Sequence, residues 1–203
     1  MKQLPFIAFS LGLCLVPFSS ASGQASAKSE PAFKGMSVIK GMRMVGAVLP
    51  SLALPDVAGR RHSLSEMKQP VALLFFCGCT PCHEFARLWS QVQQSGELTR
   101  QTAAHSPSTV VVFFGDAADA RTFAAQTGLD LSQTLLLLDP SDQAGQRFGV
   151  LQCPRIFVAD TMRRLVYTNP DANAPALLSS APALVSRTLT AWRHLPAQKK
   201  ANP

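Results

Sequence analysis

The chain reads as an α/β sandwich built on a mixed sheet, and three observations predict it. "PVALLFF" (70–76), "STVVVFFG" (108–115) and "TLLLLDP" (134–140) are nearly continuous apolar runs of strand length. Such runs suit strands buried on both faces of a sheet. Helical periodicity fills the segments between them. Finally, "RIFVAD" (155–160) and "RRLVYTN" (163–169) are close enough to pair antiparallel. Alternating strands and helices, then a hairpin and a last helix, form one α/β layer structure.

Each element has its own signal. "VGAVLPSLALPDVAGRRHSL" (45–64) alternates weakly and is broken by Pro50, Pro55 and Gly59, which predicts a small hairpin turning near Ala58-Gly59. Ser65 is placed to cap a brief helical turn. After the run at 70–76, Phe85, Leu88, Trp89 and Val92 fall at helical spacing on one face. Pro81 suits the first helical position, where a missing N–H loses no bond, and Gly96 suits the end. Asp116 can cap a helix running to Thr127, with Gly128 closing it. A short helix is expected at 141–148. Leu184, Val185, Thr188, Leu189 and Trp192 mark a C-terminal helix.

The termini read differently. "LPFIAFSLGLCLVPF" (4–18) is an apolar core behind Lys2, and "SSASGQASA" offers small-x-small cleavage points. Residues 1–27 are therefore expected to be a secretory signal, too short for a comfortable membrane span of about 20 residues. "LGLC" faintly resembles a bacterial lipobox ending at Cys14, but Leu13 stands where that motif wants a small residue. Residues 28–44 read as a linker or loosely docked arm, 45–195 as the domain, and 196–203 as a disordered tail. Of 203 residues, 47% are apolar and 15% charged, which excludes a globally disordered chain. The net charge of +7 invites an anionic partner. Yet Arg60-Arg61, Arg163-Arg164 and Lys199-Lys200 are scattered pairs that read as solvated charge. No nucleic-acid partner is expected.

The chemistry lies in "FFCGCTPCHEF" (75–85). Cys79-Thr80-Pro81-Cys82 stands between a buried strand and a helix, where a dithiol exchanger needs it. Two intervening residues on a first helical turn bring the sulfurs within disulfide distance. The helix N-terminus favours a thiolate at Cys79, the attacking sulfur, with Cys82 behind it to resolve. Zinc would require a second ligand pair at similar spacing. Only Cys153 and the scattered His62, His105 and His194 are on offer, so no metal site is expected. Cys77 reads either as core at the strand end or as an auxiliary sulfur. Cys153 reads either as a small buried hydrophobe or as a third redox partner. His83 reads either as helix surface or as an electrostatic tuner of the thiols.

A second motif, "GVLQCPRIFVAD" (149–160), places a proline just before a β-rich segment. With it, residues 45–170 resemble the thioredoxin-fold superfamily, and within it the redoxin branch of TlpA/ResA-like exported proteins. The resemblance implies a thioredoxin-like three-layer sandwich with a central mixed sheet and an N-terminal redoxin hairpin. It implies that Pro154 is cis, faces the active-site dithiol and binds substrate backbone, with Thr80 and Pro81 beside it. It further implies a thiol–disulfide oxidoreductase of the bacterial periplasm or the outer face of the cytoplasmic membrane. Its redox centre would be the Cys79–Cys82 disulfide itself, without a cofactor. Its partners would be protein thiols and disulfides and a membrane or extracytoplasmic electron donor, and it would act as a monomer. The departures are Gly78 where the family often has Trp, Leu73 where thioredoxins bury an acid, and "TMRR" where a strand–turn glycine is expected. Two alternatives share the scaffold. A thiol peroxidase would want Thr three residues before its reactive cysteine, where Phe76 stands. A copper(I) carrier or thiol-rich metal site would draw on Cys77, Cys79 and Cys82 with Cys153 or His83, although copper chaperones of this fold use CxxxC and a distant His.

Overall fold

The computed structural model describes residues 45–67, 70–96, 98, 108–169 and 180–195. The expected signal (1–27) with Cys14, the arm at 28–44, His105, Lys199-Lys200 and the tail at 196–203 lie outside the described residues. The described residues fall within one compact unit, Val38–Pro203.

A hairpin comes first. Strands β1 (Ala53–Pro55) and β2 (Arg61–Ser63) pair antiparallel around a turn in which Gly59 takes φ +83°. The helical turn after it, Leu64–Glu66, is capped by Ser63 rather than by Ser65. Ser63 Oγ accepts the Ser65 N–H at 3.3 Å, because the chain turns two residues earlier than the sequence suggested.

Strand β3 (Val71–Phe76) is buried along its whole length, which is why its sequence shows no alternation. Strand β4 (Ser108–Phe113) runs parallel to it, and β5 (Thr134–Leu138) runs parallel to β4. On the other side, β6 (Arg155–Ala159) is antiparallel to β3, and β7 (Leu165–Thr168) is antiparallel to β6. The order β5-β4-β3-β6-β7 is the expected mixed sheet. Strand ends differ from the sequence reading by one or two residues.

Helices cover both faces. α1 (Thr80–Gln94) and α2 (Ala117–Thr127) join α4 (Ala181–Arg193) on the face carrying Ala72, Leu74, Phe76, Val111 and Phe113. The opposite face, with Leu73, Phe75, Val112 and Phe157, packs on α3 (Gln143–Phe148) and on Leu52, Leu54 and Leu64 of the hairpin segment. Phe75 alone meets the rings of Phe114, Phe148 and Phe157 at 5.9, 5.1 and 5.7 Å. Burying one such ring contributes about 1.5–3 kcal/mol. The described residues thus form the expected thioredoxin-like three-layer sandwich, with the N-terminal hairpin as part of the second cover.

Caps fix the helix starts. Asp116 accepts the N–H groups of Ala118 and Asp119 at 2.8 and 2.9 Å, and Gly128 closes α2 at φ +71°. α1 begins at Thr80, so Pro81 is its second residue rather than its first; neither position has an intrahelical acceptor to lose. α3 begins at Gln143, two residues later than expected, because Asp139 reaches forward to accept from Gln143, Ala144 and Gly145 N–H. At the β6–β7 corner Arg163 takes φ +60° in place of the expected glycine, and Asp160 holds the corner by accepting from Met162 and Arg164 N–H, each at 2.8 Å. Among the described residues, no helix is long and apolar enough to cross a membrane.

Candidate active site

The site forms where β3 gives way to α1. Gly78 makes the turn at φ +76°, a left-handed value that side-chain residues rarely adopt. A Cβ there would meet only the edge of Phe113 at 3.6 Å. The backbone angle, not lack of space, therefore favours glycine at this position. Cys79 then becomes the N-cap of α1, and its side chain makes no capping bond. Thr80 and Pro81 stand exposed on the first turn, while Cys82 lies beneath at 0% exposure. The Cys79 and Cys82 sulfurs are 3.3 Å apart, and all four described cysteines are unbridged.

The second half of the site comes from the loop before β6. The Cys153–Pro154 peptide is cis, and Pro154 is buried. Because β6 pairs with β3 in the register Phe75↔Arg155, this loop is brought to the end of β3. The Cys79 sulfur lies 3.9 Å from the Cys153 carbonyl oxygen. Asn169, at the end of β7 and 3% exposed, fixes the loop. Its Nδ2 donates to the Pro154 carbonyl at 3.0 Å, and its Oδ1 accepts the Ile156 N–H at 2.8 Å. Its own carbonyl accepts from Arg155 at 2.8 Å. In the sequence Asn169 stands only as a strand end, and its one signal is the turn-forming dipeptide Asn169-Pro170.

Cys77 corrects the core reading. The strand stops at Phe76, and Cys77 is exposed, since the turn at Gly78 swings it off the sheet. Its sulfur lies 4.0 Å from that of Cys82. Cys153 is half-buried rather than core, and the sulfurs of Cys77, Cys82 and Cys153 all lie within 4.8 Å of one another. His83, by contrast, turns its ring onto Phe123 with centroids 4.7 Å apart, toward α2. The leading influences on the four thiols are the other sulfurs, burial and backbone N–H groups, not His83, so its tuning role has no support. His62 is engaged with Asp56 and His194 with the Thr190 carbonyl, both away from the sulfurs.

The cluster divides its protons unequally. Hydrogen bonds from Cys153 first, then Cys82, hold the Cys77 thiol well below the usual thiol range, and the Cys79 N–H adds to this. The donors pay the complementary cost. Cys82 is pushed up by its bonds to Cys153 and Cys77 and by burial. Cys153 is pushed up chiefly by its bond to Cys77. Burial also pushes the Cys79 thiol up, opposed by the Cys82 N–H and thiol. That reverses the expectation of a lowered Cys79: desolvation outweighs the helix N-terminus. Leu73, at 0% exposure, faces the α3 side of the sheet, away from α1 and Cys82.

Residues 45–168 match the family model described as the AhpC/TSA family. Solved structures share the fold. A peroxidoxin, BcpB, from Mycobacterium tuberculosis superposes with a TM-score of 0.58 at 21% identity, covering 73% of this chain and 96% of that one. A putative thiol:disulfide interchange protein, DsbE, from Chlorobium tepidum gives 0.56 at 24% identity, covering 73% and 98%. A secreted disulfide oxidoreductase of M. tuberculosis gives 0.53 at 17%, covering 68% and 95%. No curated protein matches the chain.

Proposed function

Because the chain belongs to the AhpC/TSA family, within the thioredoxin-fold redoxins, we propose that it is an exported thiol–disulfide oxidoreductase working through Cys79 and Cys82. The observation that carries this reading is the pair of sulfurs 3.3 Å apart at a helix N-terminus, facing the cis-Pro154 loop.

The chemistry follows from access. Cys79 loses its proton to solvent, and its thiolate attacks one sulfur of a substrate disulfide. A mixed disulfide forms and the other substrate sulfur leaves as a thiolate. Cys82 then attacks the Cys79 sulfur, its proton passing to the departing substrate sulfur, so that the second substrate thiol leaves and the Cys79–Cys82 disulfide remains. Two electrons have passed from the dithiol to the substrate. Thr80, Pro81 and Pro154 line the approach, with the exposed first turn of α1 on one side and the loop on the other. The raised Cys79 thiol makes this step favour alkaline pH.

A reductive or isomerising role requires an electron donor on the membrane or outside the cytoplasm to return the dithiol. Export rests on the apolar segment at 4–18 behind Lys2. Protein disulfides are the substrate class, and the protein acts as a monomer without a cofactor or nucleic acid. The site lacks the threonine a thiol peroxidase wants, since Phe76 fills that position inside β3. Insulin reduction by the purified protein tests the proposal. Turnover should fall by on the order of 10³-fold or more in Cys79→Ser. Equal turnover in that variant, or none in the parent with rapid thiol-dependent peroxide consumption instead, would reject it.

A further inference from the structure

Disulfide exchange uses two of the four described cysteines. Cys77 and Cys153 come from different ends of the fold, yet the sheet brings both to Cys82. The three sulfurs lie within 4.8 Å of one another, and the Cys77–Cys82 separation is 4.0 Å. A metal about 2.3 Å from each of three sulfurs in one plane spaces them by about 4 Å. The triad therefore needs only small side-chain rotations to close on an ion. Cys79 falls outside it.

The donor set selects the ion. Three thiolates without nitrogen or oxygen are soft ligands and favour copper(I). Structural zinc takes four ligands. Among the described residues no histidine or carboxylate joins the triad: His83 faces Phe123, and His62 and His194 are engaged elsewhere. Cys77 is exposed, which opens one side of the triad to an incoming ion or an acceptor protein.

We propose that Cys77, Cys82 and Cys153 form a three-coordinate site for copper(I), distinct from the Cys79–Cys82 exchange pair but sharing Cys82 with it. On binding, Cys77 enters as a thiolate, the S–H bonds of Cys82 and Cys153 break and their two protons leave, three copper–sulfur bonds form and no oxidation state changes. Oxidation of Cys79 and Cys82 by a substrate disulfide takes two electrons and withdraws Cys82 into the new disulfide. The ion then keeps only two sulfurs, Cys77 and Cys153, and is held more weakly. Metal occupancy and disulfide exchange compete for Cys82, so the redox state of one pair governs the strength of metal binding at the other. This inference goes beyond the exchange reading, and copper binding at the reduced triad does not depend on turnover.

The test is competition between the reduced full-length protein and a colorimetric copper(I) chelator, under anaerobic conditions, with copper(I) alone as the probe. One ion per chain should bind. Cys77→Ser and Cys153→Ser should each weaken binding by more than about 100-fold, the upper end of what loss of a merely positioning residue does. Cys79→Ser should still bind one copper(I), weakened by no more than about 10–100-fold as for an outer contact, while losing insulin reduction, since its sulfur lies outside the triad. Copper(I) affinity and copper–sulfur charge-transfer absorbance should both fall when the Cys79–Cys82 pair of the parent is oxidised, and an unchanged affinity would overturn the sharing of Cys82. Copper(I) held equally well by Cys77→Ser and Cys153→Ser, or lost in Cys79→Ser, would overturn the assignment, as would no retention by a parent that still reduces insulin. Failure of the exchange reading shows separately, as unchanged insulin turnover in Cys79→Ser.

Discussion

Two tight turns in this molecule gather polar groups around a buried centre, and they do so in opposite ways. In the hairpin turn between β1 and β2, one carboxylate, Asp56 at 3% exposure, is the hub. It accepts the Ala58 and Arg60 N–H groups at 2.8 and 2.9 Å and Arg60 Nε at 2.9 Å, and His62 Nε2 stands 2.9 Å away. Every acceptor site is filled by a donor that cannot be exchanged for another. At the β3–α1 turn the hub is sulfur, and each sulfur has more than one partner. Cys82 lies 3.3 Å from Cys79 and 4.0 Å from Cys77, with Cys153 also in reach. The first turn is a structural fastener because its bonds have one solution. The second is suited to chemistry because its atoms have several solutions of similar geometry, and a substrate or an ion can decide between them.

Experiments can break this contrast. The largest effect concerns the protons of the sulfur turn. The Cys77 thiol is lowered and the Cys79 thiol raised. Between pH 5 and 8, site-resolved alkylation of reduced Cys77 should be nearly flat, while that of Cys79 should climb about tenfold per pH unit. Mass spectrometry of the labelled peptides reads both rates. A climbing profile at Cys77 would mean that the sulfurs do not share their protons unequally.

The next effect tests whether the cis-proline loop is as firmly held as the hairpin. Asn169→Ala strands the buried Pro154 carbonyl and Ile156 N–H and should cost about 2–4 kcal/mol in urea unfolding. Insulin turnover should fall with it, because the loop facing Cys79 loses its anchor. Stability unchanged within error would show that the loop is held by the sheet register alone.

The smallest effect belongs to the fastener. Asp56→Asn keeps the shape and one acceptor oxygen but removes the charge. His62 first, then the Arg60 and Ala58 N–H groups and the Arg60 side chain, hold the Asp56 carboxyl well below the usual carboxylate range. A lowered folded-state value means stability that is fully present above the unfolded value of about 4 and is lost as pH falls toward the folded one. The variant should therefore melt below the parent at pH 7, and the gap should close as pH drops below about 4. Insulin turnover at the distant sulfur turn should not change. A gap that widens in acid would contradict the assignment of Asp56 as the hub.

Much of the architecture was legible because it depends on local pattern. Continuous apolar runs announced β3, β4 and β5, and Asp116 and Gly128 announced the bounds of α2. The cis-proline motif and CxxC together announced which loops meet. Reading failed where a distant atom decides the outcome. Asp139 caps α3 from outside the helix, so the predicted start fell two residues early. Cys77 looked like the last residue of an apolar strand, yet one positive φ at Gly78 turned it outward. Cys79 looked activated by its place at a helix start, but half-burial of its sulfur is a property of the packed loop, which no local window contains. The anchor Asn169 is far from either motif in sequence and adjacent only through the β6–β7 pairing.

The separation of the two half-sites along the chain also has a consequence for how the molecule is made. Cys153 lies 74 residues after Cys79. A polypeptide is synthesised N-terminal end first, so three neighbouring sulfurs are born well before the fourth. Until β6 docks on β3, Cys153 has no way to compete for Cys82, and the only well-placed choice is between near neighbours. The sequence thus imposes a timetable on its own sulfur chemistry: pairing within CGCTPC is available early, and the three-way cluster exists only once the sheet is complete.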